Sequence, residues 1–383
     1  MQLRTKYYFD NKPLKHLSKE VKNSYAENVL ILYGNGSIKR NEILNKIKKE
    51  LAKANVNVFE FGGIQPNPRM DEIYKAARYA EDNQIDLIVA VGGGSVIDAA
   101  KVVATLAVNP QIDNVWDYVM QKVEIEYLPI PIFSIITLAG TASENNWGSV
   151  ITNEKINVKK SVHLAEATPT VAFIDPEFTQ TVSQWQTASG IFDCFSHCME
   201  QYFGPNNFEW TDKFLIMNMK NILEFGSRLI KNPDDYEARQ NVSWTTSMSL
   251  NELSRFNLTE MDWNVHTLEH ALSGVYDITH GAGLALITPT YIQIRSQEEK
   301  WFKDKVIRLA HELFDTQSVQ GFIEGLDQFI NTLHLPKKYS DFKEIQNPDF
   351  EKLMKHIEIS ESNDPNYKSK KSLFERVLTS IPR

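Results

Sequence analysis

The chain has 383 residues, of which 42% are hydrophobic, so it is long enough to bury the cores of about two domains. A formal net charge of −8, without a basic stripe interleaved with aromatic residues, excludes a general nucleic-acid binder. The sequence has no secretory-type apolar run at its start and no stretch of transmembrane length, and its only cysteines are Cys194 and Cys198. We therefore expect a globular, cytoplasmic protein with no membrane or nucleic-acid partner.

Strand-like and helix-like segments alternate through the first half of the chain, a pattern typical of a parallel sheet covered by helices. Short apolar runs predict strands over residues 29 to 33, 56 to 61, 87 to 91, 129 to 136 and 171 to 174. Helical periodicity predicts helices over residues 42 to 54, 71 to 84 and 96 to 106. This order predicts an α/β domain.

Long helical patterns replace the strands from about Gln180 onward. They predict helices over residues 187 to 203, 211 to 231, 236 to 252, 262 to 274, 297 to 315, 318 to 333 and 349 to 357. The lysine-rich stretch at 368 to 371 is interpreted as a polar near-terminal segment. We therefore predict two domains, 1 to 178 and 179 to 383, with the second all-helical and a ligand-binding cleft between them.

Five residues in two segments have the spacing of metal ligands. His266 and His270 are four residues apart on a predicted helix, which places both rings on one face, and His280 follows a short polar turn. Asp193 and His197 form a second such pair on another predicted helix. A carboxylate with several imidazoles would make a mixed oxygen and nitrogen metal site. Spacing alone leaves open which histidines bind the metal, and an ordinary packed helix face is the alternative for each pair.

Two strand-to-loop transitions have the composition of a phosphate or cofactor site. Gly92-Gly-Gly-Ser95 follows a fully apolar predicted strand and begins a predicted helix. The exposed N–H groups and the positive end of the helix dipole could therefore bind a phosphate. A tight structural turn is the alternative. Thr137 to Asn146 is a second such transition, rich in hydroxyls and small residues. Asp98 lies in the first helical turn after the glycines, where the dipole favours a carboxylate in any case.

The segment after the first predicted strand bears on cofactor choice. It reads Tyr33-Gly-Asn-Gly-Ser37, and it contains no Asp or Glu that would bind the adenosine ribose hydroxyls. Lys39 and Arg40 follow and offer positive charge beside the backbone N–H groups and the Ser37 hydroxyl. We predict a preference for NADPH over NADH; the alternative is that both basic side chains point into solvent.

Together, these motifs resemble the iron-containing alcohol dehydrogenase family. The motifs that carry the resemblance are Gly92-Gly-Gly-Ser95, Thr141-Ala-Ser-Glu144, Asp193-x-x-x-His197, and His266-x-x-x-His270 with His280. Two more segments, Tyr33-Gly-Asn-Gly-Ser37 and Phe61-Gly-Gly-Ile-Gln-Pro-Asn-Pro68, are similar to the NADPH-dependent butanol dehydrogenase and aldehyde reductase branch. There are two departures: Ala142 stands where glycine is usual, and the family's first strand is shortened.

The resemblance implies a Rossmann-like, dinucleotide-binding α/β domain and an all-helical metal-binding domain, the dehydroquinate synthase-like fold. It implies that the metal ligands are Asp193, His197, His266 and His280, and that His270 is a catalytic residue beside the nicotinamide. The implied cofactor-binding residues, with those of the two glycine-containing turns, are Gly34, Gly36, Ser37, Lys39, Gly92, Gly93, Gly94, Ser95, Asp98, Thr137, Thr141, Ser143, Asn146 and Lys159.

The activity that the resemblance implies is a metal-dependent, NADP(H)-linked alcohol dehydrogenase or aldehyde reductase. It would interconvert small aldehydes and primary alcohols with Fe²⁺ or Zn²⁺ as the Lewis acid, and the protein would be a homodimer. A rival function is a lyase of the sugar-phosphate cyclase type, which shares the architecture and uses NAD with a metal.

Overall fold

The computed structural model describes residues 3 to 206 and 208 to 383, apart from the side chain of Ser37. The chain divides into two compact units, one of residues 1 to 156 with 160 to 182 and the other of residues 157 to 159 with 183 to 383. The domain boundary predicted after residue 178 therefore falls near the observed one. We did not predict that residues 157 to 159 belong to the second unit.

The first unit alternates strands and helices. Its elements in chain order are β1 (Lys6–Tyr8), α1 (Leu17–Asn23), β2 (Asn28–Gly34), α2 (Ser37–Arg40), α3 (Ile43–Ala52), β3 (Asn57–Ile64), α4 (Met70–Asp82), β4 (Leu87–Gly92), α5 (Gly94–Leu106), α6 (Val115–Val119), β5 (Ile132–Ile136), β6 (Gly148–Asn153), β7 (Val158–His163) and β8 (Val171–Ile174).

Six of these strands form one sheet in the order β1-β8-β5-β4-β2-β3, and every neighbouring pair is parallel. The predicted parallel sheet is therefore confirmed. From β2 the chain continues to β3 on one side, then returns to β4 on the other side and proceeds to β5. The direction of winding thus reverses between β2 and β4, and the crevice at the carboxyl ends of such strands is where open α/β sheets bind ligands.

The central strands are continuous apolar runs because their side chains are buried. Val29, Ile31, Leu87 and Val89 have no exposed surface, because helices cover both faces of a parallel sheet. The predicted bounds differ from the observed ones at two strands. β3 continues through Gly62-Gly63 to Ile64, and β5 begins only after Pro131. The two-stranded sheet of β6 and β7 was not predicted.

The second unit is helical, as predicted. Its helices are α7 (Gln184–Tyr202), α8 (Glu209–Lys231), α9 (Tyr236–Met248), α10 (Asn264–Tyr276), α11 (His280–Glu298), α12 (Lys300–Phe314), α13 (Val319–Thr332), α14 (Phe350–Ser360) and α15 (Tyr367–Ser380). None of the helices in the described residues combines the length and the apolar composition needed to span a membrane.

The sequence analysis did not predict two of these helices, α11 and α15. α11 contains Gly281, Gly283 and Pro289, which have low helix propensity, but tertiary packing overrides that preference. The lysines of the polar segment at 368 to 371 lie on the solvent-facing side of α15, a helix that the sequence analysis did not predict. Its opposite face buries Phe374 and Val377 in the core of the unit.

Candidate metal centre and cofactor-binding turns

Three helices of the second unit bring four predicted ligands together. α7 carries Asp193 and His197, α10 carries His266, and His280 is the first residue of α11. The Nε2 atoms of the three histidines lie 3.5, 3.6 and 3.7 Å from Oδ1 of Asp193, in chain order. The two segments that the spacing singled out therefore meet at one carboxylate oxygen.

The residues fit a bound cation. Metal–ligand bonds of about 2.0–2.2 Å in a tetrahedral site place the donors roughly 3.4 Å apart, close to the separation of Asp193 Oδ1 from each of the three Nε2 atoms. Asp193, His266 and His280 form a group whose ligand atoms all lie within 4.8 Å of one another. Asp193 Oδ1 and His266 Nε2 are buried and have no hydrogen-bond partner among the described residues, which is costly unless another group satisfies them. Burial would raise the pKa of Asp193, but the surrounding imidazoles hold it well below its usual range.

His270 occupies a different place from the other histidines. Its ring centre lies 6.2 Å from that of His266 and 5.5 Å from that of His280, and one of its ring nitrogens lies within 4.8 Å of a carboxylate oxygen of Glu269 and a ring nitrogen of His280. Desolvation and the nearby charge of Lys159 lower the pKa of His270 well below its usual value. His270 therefore lies beside the cage formed by Asp193, His197, His266 and His280, and its burial disfavours the charged form of the ring.

Two residues that the sequence analysis did not name contact the predicted ligands. Glu200 Oε1 lies 2.5 Å from Nδ1 of His266, and Glu269 Oε2 is hydrogen-bonded to Nδ1 of His280. Both carboxylates are fully buried. A sequence signal existed, since each glutamate follows a ligand histidine by three residues on its helix, in His197-Cys-Met-Glu200 and His266-Thr-Leu-Glu269.

Lys159, predicted to line the cofactor groove, lies in the second unit. Its ammonium donates a hydrogen bond to Ser273 Oγ at 3.0 Å and lies 3.7 Å from Glu269 Oε2. Its backbone N–H donates to Nε2 of His356 at 2.8 Å. The structure therefore ties Lys159 to the metal cage through Glu269.

The glycines after β4 allow a close approach of two loops at the carboxyl end of the sheet. A β-carbon on Gly94 would lie 2.8 Å from Cβ of Thr141, and one on Gly93 would lie 3.1 Å from that of Leu138. The N–H of Thr137 donates to Gly92 O at 3.0 Å. The Gly92–Ser95 turn therefore contacts the loop that contains Thr137 and Thr141. This contact lies next to the point in the sheet where the direction of winding reverses.

Three other predicted cofactor residues form a buried cluster behind that turn. Asp98 accepts hydrogen bonds from the Ser143 hydroxyl and from the N–H of Val150, the latter at 2.9 Å. The fully buried Lys101 donates to Ser143 Oγ at 2.8 Å and to Asn146 Oδ1 at 3.3 Å. Burial lowers the pKa of Lys101 to about 8. Direct contact of Asp98, Ser143 and Asn146 with a cofactor stays a prediction. The contacts that these side chains make in the structure stabilise the loop after β5.

The glycine turn after β2 leads into α2. Gly36 has a φ of 92°, which only glycine adopts easily, and its N–H donates to Gly34 O at 2.9 Å. Lys39 and Arg40 are exposed, and the Lys39 ammonium lies 5.0 Å from the ring centre of Tyr33. The predicted role of the Ser37 hydroxyl falls outside the described atoms. The β2 turn thus leaves its basic side chains accessible to an anion.

Comparisons with known proteins agree with this architecture. Residues 4 to 176 match the family described as iron-containing alcohol dehydrogenase, and residues 187 to 373 match the C-terminal part of the Fe-containing alcohol dehydrogenase family. The chain is 35% identical to NADH-dependent butanol dehydrogenase B of Clostridium acetobutylicum, over 88% of this chain and 87% of that protein. It is 30% identical to the NADPH-dependent aldehyde reductase YqhD of Escherichia coli, over 82% and 81%.

A solved structure gives the same result for the fold. NADH-dependent butanol dehydrogenase A from Thermotoga maritima superposes with a TM-score of 0.92 at 30% identity, covering 100% of this chain and 98% of that one. A parallel sheet with a glycine turn at its winding reversal, followed by a helical unit with a cluster of histidines and a carboxylate, is the architecture of a metal- and nicotinamide-using enzyme, and both family matches are to alcohol dehydrogenases. The chain belongs to the iron-containing alcohol dehydrogenase family.

Proposed function

We propose that this protein is an NADP(H)-linked alcohol dehydrogenase that interconverts small aldehydes and primary alcohols. The observation that carries the proposal is the convergence of three imidazole Nε2 atoms on the buried Oδ1 of Asp193. In this proposal Asp193, His197, His266 and His280 hold the metal ion. This family uses a divalent metal and a nicotinamide cofactor, and the donor set suits Fe²⁺ as well as Zn²⁺.

The reaction adds a hydride to the carbonyl carbon of an aldehyde and a proton to its oxygen. When bound, the cation would supply Lewis acidity toward that oxygen and the reduced nicotinamide would supply the hydride. His270 is proposed to relay the proton, taking one from solvent at one ring nitrogen as it gives up the proton of the other, because its half-buried ring lies beside the four proposed ligands. In alcohol oxidation the same residue accepts the proton.

The proposed cofactor contacts lie on the two glycine turns. The Gly92–Ser95 turn and the first N–H groups of α5 would hold the pyrophosphate, and the loop with Thr137 and Thr141 adjoins them. Gly34, Gly36, Ser37 and Lys39 would hold the adenosine end.

The preference for NADPH rests on the composition of the β2 turn. No acidic residue occurs between Tyr33 and Arg40 to bind the ribose hydroxyls, and Lys39 and Arg40 are exposed beside the turn. The names of the two curated relatives differ on this point, one being NADH-dependent and the other NADPH-dependent. Measuring kcat/KM for the two cofactors with one aldehyde tests the preference, and a clear advantage for NADH would refute it.

The activity itself is tested with butanal as substrate. Purified protein should oxidise NADPH when butanal is added, should stop after treatment with a chelator, and should recover with Fe²⁺ or Zn²⁺. The comparison of the two reconstituted forms identifies the better metal. No NADPH oxidation by metal-loaded protein with butanal or other short aldehydes would exclude the proposed reaction.

The alternative lyase function is not favoured. Both family matches and the relatives named above are alcohol dehydrogenases or an aldehyde reductase. Among the expectations from the sequence, we also propose a cytoplasmic homodimer. Light scattering coupled to gel filtration would test the assembly, and a monomer mass would rule out the dimer.

A further inference from the structure

Each of two ligand helices carries a glutamate that holds the next ligand histidine. On α7, Glu200 follows His197 by three residues and contacts Nδ1 of His266 on α10. On α10, Glu269 follows His266 by three residues and contacts Nδ1 of His280 on α11. The same His-x-x-Glu arrangement therefore links α7 to α10 and α10 to α11.

Glu200 is saturated with hydrogen bonds. Its Oε1 accepts from the Ser196 hydroxyl at 3.0 Å in addition to its contact with His266. Its Oε2 accepts from the N–H groups of Val265 and His266, at 3.0 and 3.2 Å. These N–H groups lie in the first turn of α10 and have no partner within the helix, so Glu200 also caps α10.

Glu269 has a different set of partners. Its Oε2 accepts from His280 Nδ1 and from Ser273 Oγ, the latter at 3.3 Å, and Lys159 Nζ lies 3.7 Å away. Its Oε1 is buried and has no hydrogen-bond partner in the described residues. Unlike Glu200, Glu269 accepts no hydrogen bond from the backbone of a neighbouring helix. Its contacts are directed at His280 and at the Lys159–Ser273 pair.

The tautomer of a histidine decides which nitrogen can bind a metal. An imidazole whose Nδ1 carries the proton offers the lone pair of Nε2, and a carboxylate that accepts the Nδ1–H fixes both the tautomer and the orientation of the ring. Nε2 of His266 and Nε2 of His280 are the atoms that approach Asp193. By contrast, Nδ1 of His197 is buried without a hydrogen-bond partner in the described residues.

We propose that Glu200 and Glu269 are positioning residues that hold His266 and His280 with Nε2 directed at the metal and thereby strengthen metal binding. This inference rests on the metal site in the proposed function. Charge supports it, because metal-ligating imidazoles are neutral, and Asp193, Glu200 and Glu269 then outweigh Lys159 by two negative charges. A divalent cation balances that excess in a buried site where uncompensated charge is costly.

The test uses Zn²⁺ alone as the probe, with affinity measured by competition against a chromophoric chelator. Glu269→Gln keeps the size of the side chain and one acceptor oxygen but removes the charge, and Glu269→Leu removes the acceptor as well. We expect Glu269→Gln to bind Zn²⁺ about 10- to 100-fold more weakly, as for other outer carboxylates of metal sites, and Glu269→Leu to bind more weakly still.

Two further variants separate positioning from stability. Glu269→Gln leaves Lys159 without its carboxylate, so Lys159→Met/Glu269→Gln removes both charges and should show the same loss of affinity in a folded protein. Asp262→Asn is the matched control, because Asp262 is a buried carboxylate that accepts hydrogen bonds from Asn264, Tyr291 and Arg295 and contacts no ligand histidine among the described residues. It should change the unfolding temperature and leave the Zn²⁺ affinity as in the wild type.

A spectroscopic signal reports the tautomer directly. Nitrogen-15 NMR of the metal-free wild type should show the proton of His280 on Nδ1, and Glu269→Gln should shift this ring toward a mixture of tautomers. Glu200→Gln should lower the unfolding temperature, because it weakens the cap of α10.

Separate results would overturn the inference and the proposed function. If the wild type binds no Zn²⁺, the proposed metal site is wrong. If the wild type binds Zn²⁺ and the folded Glu269 variants bind it equally well, only the positioning role is refuted. An equal loss of affinity in Asp262→Asn would likewise refute it, since the effect would then be one of general stability.

Discussion

Gly281 of α11 lies directly against the backbone of Ser189 on α7: a β-carbon at position 281 would stand 2.6 Å from the carbonyl carbon of Ser189. Asp193 lies one helical turn after Ser189, and His280 immediately precedes Gly281. This contact therefore sets how closely two of the proposed metal ligands approach each other. Only a residue without a side chain permits it.

Replacement of Gly281 by alanine is expected to destabilise the fold and weaken the metal site together. The added methyl would collide with backbone, which cannot rotate away, and overpacking of this kind costs about 1–3 kcal/mol or more. Thermal unfolding and Zn²⁺ titration measure the two effects. Gln293→Ala, an exposed change on the same helix, should stay within about 0.5 kcal/mol of the wild type. An unchanged Zn²⁺ affinity in Gly281→Ala would show that the site tolerates a shift of α11.

The same glycine shows why the sequence predicted some elements and missed others. The strands of the first unit and most helices of the second were predictable from periodicity, because each element buries a defined set of apolar positions. Helix α11 was not predictable from periodicity. It contains Gly281 and Pro289, and its apolar residues do not form a single stripe. Helix propensity opposes both residues, and the packing against α7 explains Gly281.

The candidate site was predictable to a similar extent. Spacing identified Asp193 with His197 and His266 with His270, because helical periodicity places residues four apart on one face. The choice of His280 over His270 as a ligand came from the family resemblance. Spacing could not show that α7 and α10 meet, nor that Glu200 reaches across from one to the other. Contacts between distant segments depend on packing that a single sequence does not display.

Ala142 is expected to be a strained residue of the loop after β5. It has a φ of 53° and is almost completely buried, a conformation that costs about 1 kcal/mol for a residue with a β-carbon. Ala142→Gly should raise the free energy of unfolding by up to about 1 kcal/mol, measured by denaturant titration. Lys49→Gly, at an exposed position inside α3, should instead lower it by about 0.5–1 kcal/mol. Destabilisation by Ala142→Gly would mean that packing of the methyl outweighs the strain.

Removal of the basic residues after β2 tests the cofactor preference. Lys39→Ala/Arg40→Ala should raise KM for NADPH several-fold and leave KM for NADH nearly unchanged, because only NADPH carries the additional phosphate. Lys49→Ala is the matched control, since it removes an exposed lysine from α3, outside the β2 turn. Equal changes with both cofactors would indicate that Lys39 and Arg40 point into solvent.

Metal binding is expected to contribute to the stability of the second unit. A ligand present at a thousand times its Kd stabilises a folded protein by about 4 kcal/mol. Chelator should therefore lower the unfolding temperature of the wild type and leave that of Asp193→Asn unchanged, because this variant lacks the ligand on which the three Nε2 atoms converge. Asp262→Asn should keep the response to chelator. A chelator response in Asp193→Asn equal to that of the wild type would place the metal elsewhere.

The last prediction separates His270 from His280, which the sequence makes look alike. His280 Nε2 lies 3.7 Å from Asp193 Oδ1, so His280→Ala should lose metal and activity together. His270 is proposed to move a proton, a role worth roughly 10²–10⁴-fold, so His270→Ala should lower kcat by about that factor and keep the metal. Metal analysis beside steady-state kinetics distinguishes the two variants. Metal loss in His270→Ala with retention in His280→Ala would exchange the roles, since the metal would then sit nearer to Glu269 and His270 than to Asp193.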